Sequence, residues 1–258
     1  MEAKTNERRS GLTGQGLRVW GFLFLVLGIV GRSIFQNKLL GVGQVSGAQL
    51  LELMQGSDNA MIYATVALIL QAVETCAVPV FAFLLFEGFQ HTSSFKLYVL
   101  KVAALAVISE IPYNLAISGN ALDTTSRNPV FGLLVALILL YLYDYLREAS
   151  MQNRLIKVLV FVAAMLWAAM LKINAGMPIV LVVCVLWAFR KRPVYRNVAG
   201  ATAAIVCTLG SPFYLASPMG FMAVHFYNGE KGEGKWLVNY LAYPVLLLVI
   251  GLIARLVL

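Results

Sequence analysis

The chain has 258 residues, 60% of them hydrophobic and only 12% charged, with a net charge of +8. A soluble domain carries roughly a quarter of its residues as charges, so a single water-soluble core is excluded and an all-α polytopic bundle in the lipid bilayer is expected. The positive balance reads as topology setting rather than nucleic-acid binding, and three isolated cysteines with two histidines supply neither a metal-ligand set nor a disulfide framework.

Residues 1–16 form a polar leader, and a first apolar span follows over 17–36. That span is longer than a signal-peptide core and no Ala-x-Ala-type cleavage site follows it, so 17–258 reads as one transmembrane domain behind a cytoplasmic leader. Residues 37–59 are too polar to span and are expected to lie at the interface or partly re-enter. Further spans are predicted at 60–88, 95–118, 129–147, 154–171, 174–190, 196–215 and 237–257. The loop SPMGFMAVHFYNGEKGEGKW separates the last two and opens with a short interfacial helix. Eight spans put both ends on one side. With that side taken as the cytoplasm, fourteen Lys and Arg fall inside and six outside, so the positive-inside rule predicts N-in and C-in. There is no internal repeat and no inverted pair of broken helices, which argues against a secondary transporter.

Charges inside these spans are the candidate functional residues, because an ionisable group at mid-membrane costs about 2.5–3.5 kcal/mol on insertion scales and needs a partner or water. Arg32 lies near the outer end of the first span, with Gly28 and Gly31 leaving room for a neighbouring helix; it either balances Glu74 or Glu110 or snorkels outward. Glu74 and Glu87 share the second span about 20 Å apart at 1.5 Å per residue. Lys101 stands at a depth where it reaches Glu87, and Asp144 near the end of the fourth span reads as an interfacial anchor. Glu110 is the sharpest signal. It precedes Pro112, which frees a backbone carbonyl near residue 108. With Ser109 and Asn114 beside it, and Asn128 of SRNPVF approaching the same outer level, a broken helix around a wet pocket is expected. His225 is the candidate base in the last loop, by its ability to change charge near neutral pH.

Three stretches then carry a resemblance. FAFLLFEGFQHTSSFKLYVLKVAALAVISEIPYNLA, RNPVFGLL and HFYNGEKGEGKWLVNYLAYPVLLLVIGLI resemble the TraX family in order along the chain. Glu87, Gly88, Phe89, Thr92, Ser109, Glu110, Pro112, Asn128, Tyr227, Asn228, Gly229 and Gly232 occupy its motif positions. The family's named member is a conjugal-transfer pilin acetylase, other members carry a permease label, and the group is similar to multispan membrane acyltransferases that use an acyl-coenzyme A donor. The resemblance therefore implies an acyltransferase of the bacterial inner membrane, with acetyl-CoA as co-substrate, no metal, and a protein amine or a small amine or hydroxyl as acceptor. One departure matters: where members carry Asp-His in the first span, this chain has Gly28 and Ile29. Glu110 or His225 is then the expected catalytic group, and Arg32, Glu74, Glu87, Lys101, Ser109, Asn114, Asn128, Tyr227 and Asn228 line the polar pocket. The alternatives are a permease subunit, or a catalytically inactive binding scaffold.

Overall fold

A computed structural model describes residues 11–41, 52, 58–234 and 236–256. Residues 1–10 of the polar leader and most of the 37–59 segment lie outside these residues. The described chain is helical, without a strand. Helix α1 (Gly14–Val30) continues as a π-helical segment, Gly31–Leu39. After it come α2 (Asp58–Glu74), α3 (Ala77–His91), α4 (Phe95–Ser118), α5 (Val130–Tyr145), α6 (Met151–Met170), α7 (Gly176–Ala188), α8 (Pro193–Val206), α9 (Met219–His225) and α10 (Trp236–Leu256). Among the described residues, four stretches are long and apolar enough to cross a membrane: Gly14–Leu39, Asp58–His91, Met151–Met170 and Val238–Leu256. Val130–Tyr145 and Gly176–Ala188 are shorter apolar helices. Helices dominate because a backbone out of water must satisfy its own polar groups.

The two ends of the bundle are fixed by contacts. At one end, the first turn of α1 is wrapped by the loop after α9. Leu12 N donates to Phe226 O at 2.7 Å, Gly14 N to Glu230 O at 2.7 Å and Gln15 N to Lys231 O at 3.0 Å. The side chain of Thr13 caps Gly16 N at 3.2 Å, so the orphan amides of the helix start are used up. Gly229 and Gly232 turn this loop at φ +84° and +75°, and a Cβ at Gly232 would lie 2.6 Å from Thr13 Oγ1. At the other end, Ser33 Oγ donates to Ala116 O, Asn37 Nδ2 to Ile117 O at 2.7 Å, and Gly251 packs on the backbone of Ala116. Helices α1, α4 and α10 thus run parallel. The described chain begins at one end and finishes at the other, which corrects the expected placement of both ends on one side.

The reason lies in the seventh predicted span, 196–215. It enters and turns back. Helix α8 starts at the end of the bundle where α1 starts, with the Arg196 guanidinium 4.9 Å above the Phe83 ring. The chain turns through two short 3₁₀ segments, Cys207–Leu209 and Pro212–Leu215, and α9 returns it to that same end, where Tyr227 O–H reaches Glu87 Oε1 at 3.4 Å. Gly200 of α8 admits the Phe221 ring of α9, which closes the hairpin. Seven described passages run end to end and one hairpin does not, in place of eight passages.

The hairpin seals a second departure from expectation. The predicted second span is broken at Thr75–Cys76, where Thr75 N bonds Ala72 O and Cys76 N bonds Val73 O, each at 3.1 Å and three residues back. Pro79 has no N–H, so the Thr75 carbonyl lacks the donor four residues on; Val78 N donates to it at 3.2 Å and Ser217 Oγ at 3.0 Å. Thr75 Oγ1 donates to Phe213 O at 3.1 Å and Cys76 Sγ to Ala216 O at 3.1 Å. By contrast α4 runs unbroken through Pro112, so the expected break at Glu110 does not occur.

Candidate functional site

Arg32 stands at the start of the π-helical segment and Glu74 at the last residue of α2, and they form an ion pair. Gly28 makes the pair possible: a Cβ there would overlap Glu74 Cβ and Oε2. Gly31 admits α2 closely, with a Cβ there 2.8 Å from Leu70 Cβ. The side chains are 22% and 12% exposed, and Arg32 Nε is buried with no hydrogen-bond partner. Tyr113, Tyr214 and Tyr243 lie within electrostatic reach of the guanidinium. The pair with its spare donor N–H therefore sits among aromatic walls, where electrostatic interactions are less screened than at the surface.

A cavity of about 350 Å³ opens from this pair. Arg32, Glu74, Thr75, Tyr214, Tyr243 and Asn174 supply polar lining, and Phe22, Leu25, Phe81, Leu105 and Leu133 are among its apolar walls. Arg18, Lys101 and Lys231 line it too. These three cations, with Leu84, Tyr98 and Tyr240, also line a second, more polar cavity of about 480 Å³. Its other walls include Glu87, His91, Thr92, Ser93, Ser94 and Tyr227. The shared residues make one a vestibule and the other an inner chamber. Gly88 matters here, because a Cβ would meet the Tyr98 hydroxyl at 2.6 Å. In the vestibule Glu87 receives the Tyr227 O–H and has His91 Nδ1 at 3.7 Å. Burial first, and then the Glu87 charge, push the Tyr227 phenol up to about 12, so its proton stays on through neutral pH.

The predicted site residues separate into three groups. Arg32, Glu74 and Lys101 line the chamber, and Glu87, Lys101 and Tyr227 line the vestibule. Glu110 lines neither cavity. Its Oε2 accepts from Asn128 Nδ2 at 2.6 Å and Asn128 N at 3.2 Å, and its Oε1 accepts from Arg127 Nη1 at 3.2 Å. Asn128 also donates to Ala106 O at 2.8 Å. Glu110 thus clamps the turn before α5, which corrects the wet pocket expected around it. Ser109 is buried with its hydroxyl unpartnered, and Asn114 faces Ala121 O at 3.5 Å. His225 is exposed at the end of α9 against the Phe226 ring and lines neither cavity. Asn228 shapes the loop: its N–H donates to Leu12 O and its Oδ1 accepts from Glu230 N, both at 2.9 Å. Asp144 pairs with Arg147 at 2.7 Å on an exposed surface.

Sequence reasoning missed Arg18, Tyr98, Tyr214, Lys231, Tyr240 and Tyr243. Arg18 and Lys231 were absorbed into the charge count, and a tyrosine in an apolar run reads as an interface anchor. The available signal was the pairing of Arg18, one turn into α1, with Lys101, one turn and a half into α4.

The family model described as TraX protein matches residues 49–254. No curated protein and no solved structure matches the chain.

Proposed function

The chain belongs to the TraX family, and we propose that it is an acyltransferase of the bacterial cytoplasmic membrane, with acetyl-CoA as donor. The observation that carries this reading is the cation-rimmed vestibule leading through an apolar chamber to one ion pair. A coenzyme A thioester has the same order of parts: an anionic diphosphate, a slim pantetheine arm and a reactive carbonyl. Arg18, Lys101 and Lys231 face the diphosphate, the apolar walls enclose the arm, and the thioester carbonyl stops beside Arg32 and Glu74. Among the described Lys and Arg, eleven stand toward the vestibule end and five toward the other, so the positive-inside rule turns the vestibule to the cytoplasm. The acceptor, an amine or hydroxyl, then meets the acyl group near the outer leaflet.

In the proposed step Glu74 takes the proton from the acceptor N–H or O–H as its lone pair attacks the thioester carbon. Arg32 donates hydrogen bonds to the carbonyl oxygen as negative charge builds there. Collapse breaks the C–S bond, and the proton held by Glu74 passes to the departing thiolate. Amide or ester and free coenzyme A thiol result.

Thiol release by purified protein tests this. Glu74→Gln is expected to lower turnover by about 100-fold or more while acetyl-CoA still binds. Lys101→Gln with Lys231→Gln is expected to raise KM and leave kcat nearly unchanged. Wild-type protein that neither binds acetyl-CoA nor releases thiol removes the reading. The broken α2–α3 helix sealed by a hairpin favours a second one, a permease, since interrupted helices build transport sites. Solute flux in proteoliposomes without thiol release would select it. Binding of acetyl-CoA with neither outcome would mark an inactive scaffold.

A further inference from the structure

We propose that the vestibule-end junction of α6 and α7 is a binding site for an anionic phospholipid headgroup, separate from the chamber. Two cations share one indole there. Arg190 Cζ lies 3.8 Å and Lys157 Nζ 4.9 Å from the centroid of the Trp187 ring. The separation of the two charges is thereby capped at the sum of those distances. The platform is rigid: Tyr143 meets Trp187 edge-on at 5.0 Å and donates its O–H to Lys157 O at 3.0 Å, while Arg190 Nη1 donates to Trp187 O at 3.0 Å. Arg154 stands one turn before Lys157 on α6. Among the described residues no carboxylate pairs with Lys157, Arg190 or Arg154, whereas Asp144 is taken up by Arg147. None of the three cations lines the vestibule or the chamber.

Like charges held this close repel, and an anion between them relieves the repulsion. The surroundings identify the anion as a lipid. Helix α6 is the least enclosed of the crossing candidates, with 11% of its apolar window buried. Val158, Leu159 and Val162, at and beyond the depth of Lys157, are exposed, so acyl tails have a surface to run along below the headgroup. Basic pockets between helices on the cytoplasmic side recognise such headgroups by their phosphate charge, and an indole at that level suits the interface.

The experiment uses full-length protein in nanodiscs or mild detergent and reads bound lipid by native mass spectrometry. Wild-type protein is expected to retain cardiolipin or phosphatidylglycerol over phosphatidylcholine, and Lys157→Gln with Arg190→Gln to lose at least tenfold of that retention. Lys157→Arg keeps the charge and is expected to keep the lipid; Arg147→Gln, away from the indole, is expected to do the same. Equal retention of phosphatidylcholine by wild type, or undiminished anionic lipid on the double variant, overturns the proposal. So does saturation by inorganic phosphate at millimolar concentration without lipid preference, which would make the ligand a soluble anion.

Discussion

Position 28 shows how one missing side chain can relocate a charge. The first-span acid expected from the family resemblance is replaced by glycine, and the volume its side chain would take is filled by Glu74 from α2. The carboxylate is still there, delivered by a different helix and held by Arg32 one turn on. Gly28→Asp alone should therefore be harmful rather than restorative: the new Cβ overlaps Glu74 at its own Cβ, which cannot swing away. Overpacking of this sort costs about 1–3 kcal/mol, and two facing carboxylates add repulsion. We expect Gly28→Asp to lower Tm in detergent by several degrees, and Gly28→Asp with Glu74→Gly to recover most of it. Equal melting of the single and double variants would show that residue 28 does not compete with Glu74 for space. That Arg32 would either meet a counter-charge or snorkel outward was legible from its depth. Which carboxylate answered was not, because Glu74 and Glu110 stood as equal candidates until the packing of α1 on α2 was known.

At the scale of elements, two prolines in apolar helices behave oppositely. Pro112 looked disruptive because polar residues surround it, yet α4 passes through it intact, and the neighbouring Glu110 is engaged by the turn at Arg127 and Asn128. Pro79 stands in the apolar run AVPVFAF, yet the helix breaks ahead of it. Periodicity shows where a proline removes a hydrogen bond; only tertiary contacts show who repairs it. For Thr75 one donor is local, Val78 N, and the other is Ser217, well over a hundred residues away, which no local reading can find. Helix positions themselves were legible, since the apolar runs predicted at 95–118 and 237–257 match α4 and α10 closely. The hairpin repair makes Gly220 critical, because a Cβ there overlaps the Cys76 carbonyl and lies 2.6 Å from Pro79 Cγ. Backbone cannot yield cheaply, so Gly220→Ala should lift α9 off the break. In a background with Cys184 and Cys207 changed to Ser, buried Cys76 should resist maleimide in the parent and label readily in Gly220→Ala. Ser217→Ala, which removes one of two donors to the Thr75 carbonyl and leaves Val78 N in place, should label much less. Identical labelling of parent and Gly220→Ala would disconnect the hairpin from the break.

For the whole molecule, the parity of crossings decides where the chain ends, and parity turned on a segment whose composition misleads. Residues 196–215 are apolar enough to count as a span, but composition cannot report a reversal of direction halfway. The structure reverses there because α8 and α9 pack on each other through Gly200 and Phe221 and their turn is bonded to Thr75 and Cys76. An odd number of passages follows, and it redistributes the charge: Lys231, counted outside on the eight-span scheme, moves to the vestibule end, while Arg255, counted inside, moves to the sparsely charged end. With the vestibule cytoplasmic, residues around Arg255 must lie outside and the loop at Asn228–Glu230 inside. A reporter active only outside the cytoplasm, fused after residue 256, should be active, and the same reporter inserted at Gly229 should be silent, while a fluorescent protein that folds only in the cytoplasm gives the reverse. An inactive outer reporter at residue 256 together with an active one at Gly229 would turn the molecule over, placing the vestibule cations outside and removing the donor's route. Both sites on one side would mean that the hairpin crosses after all.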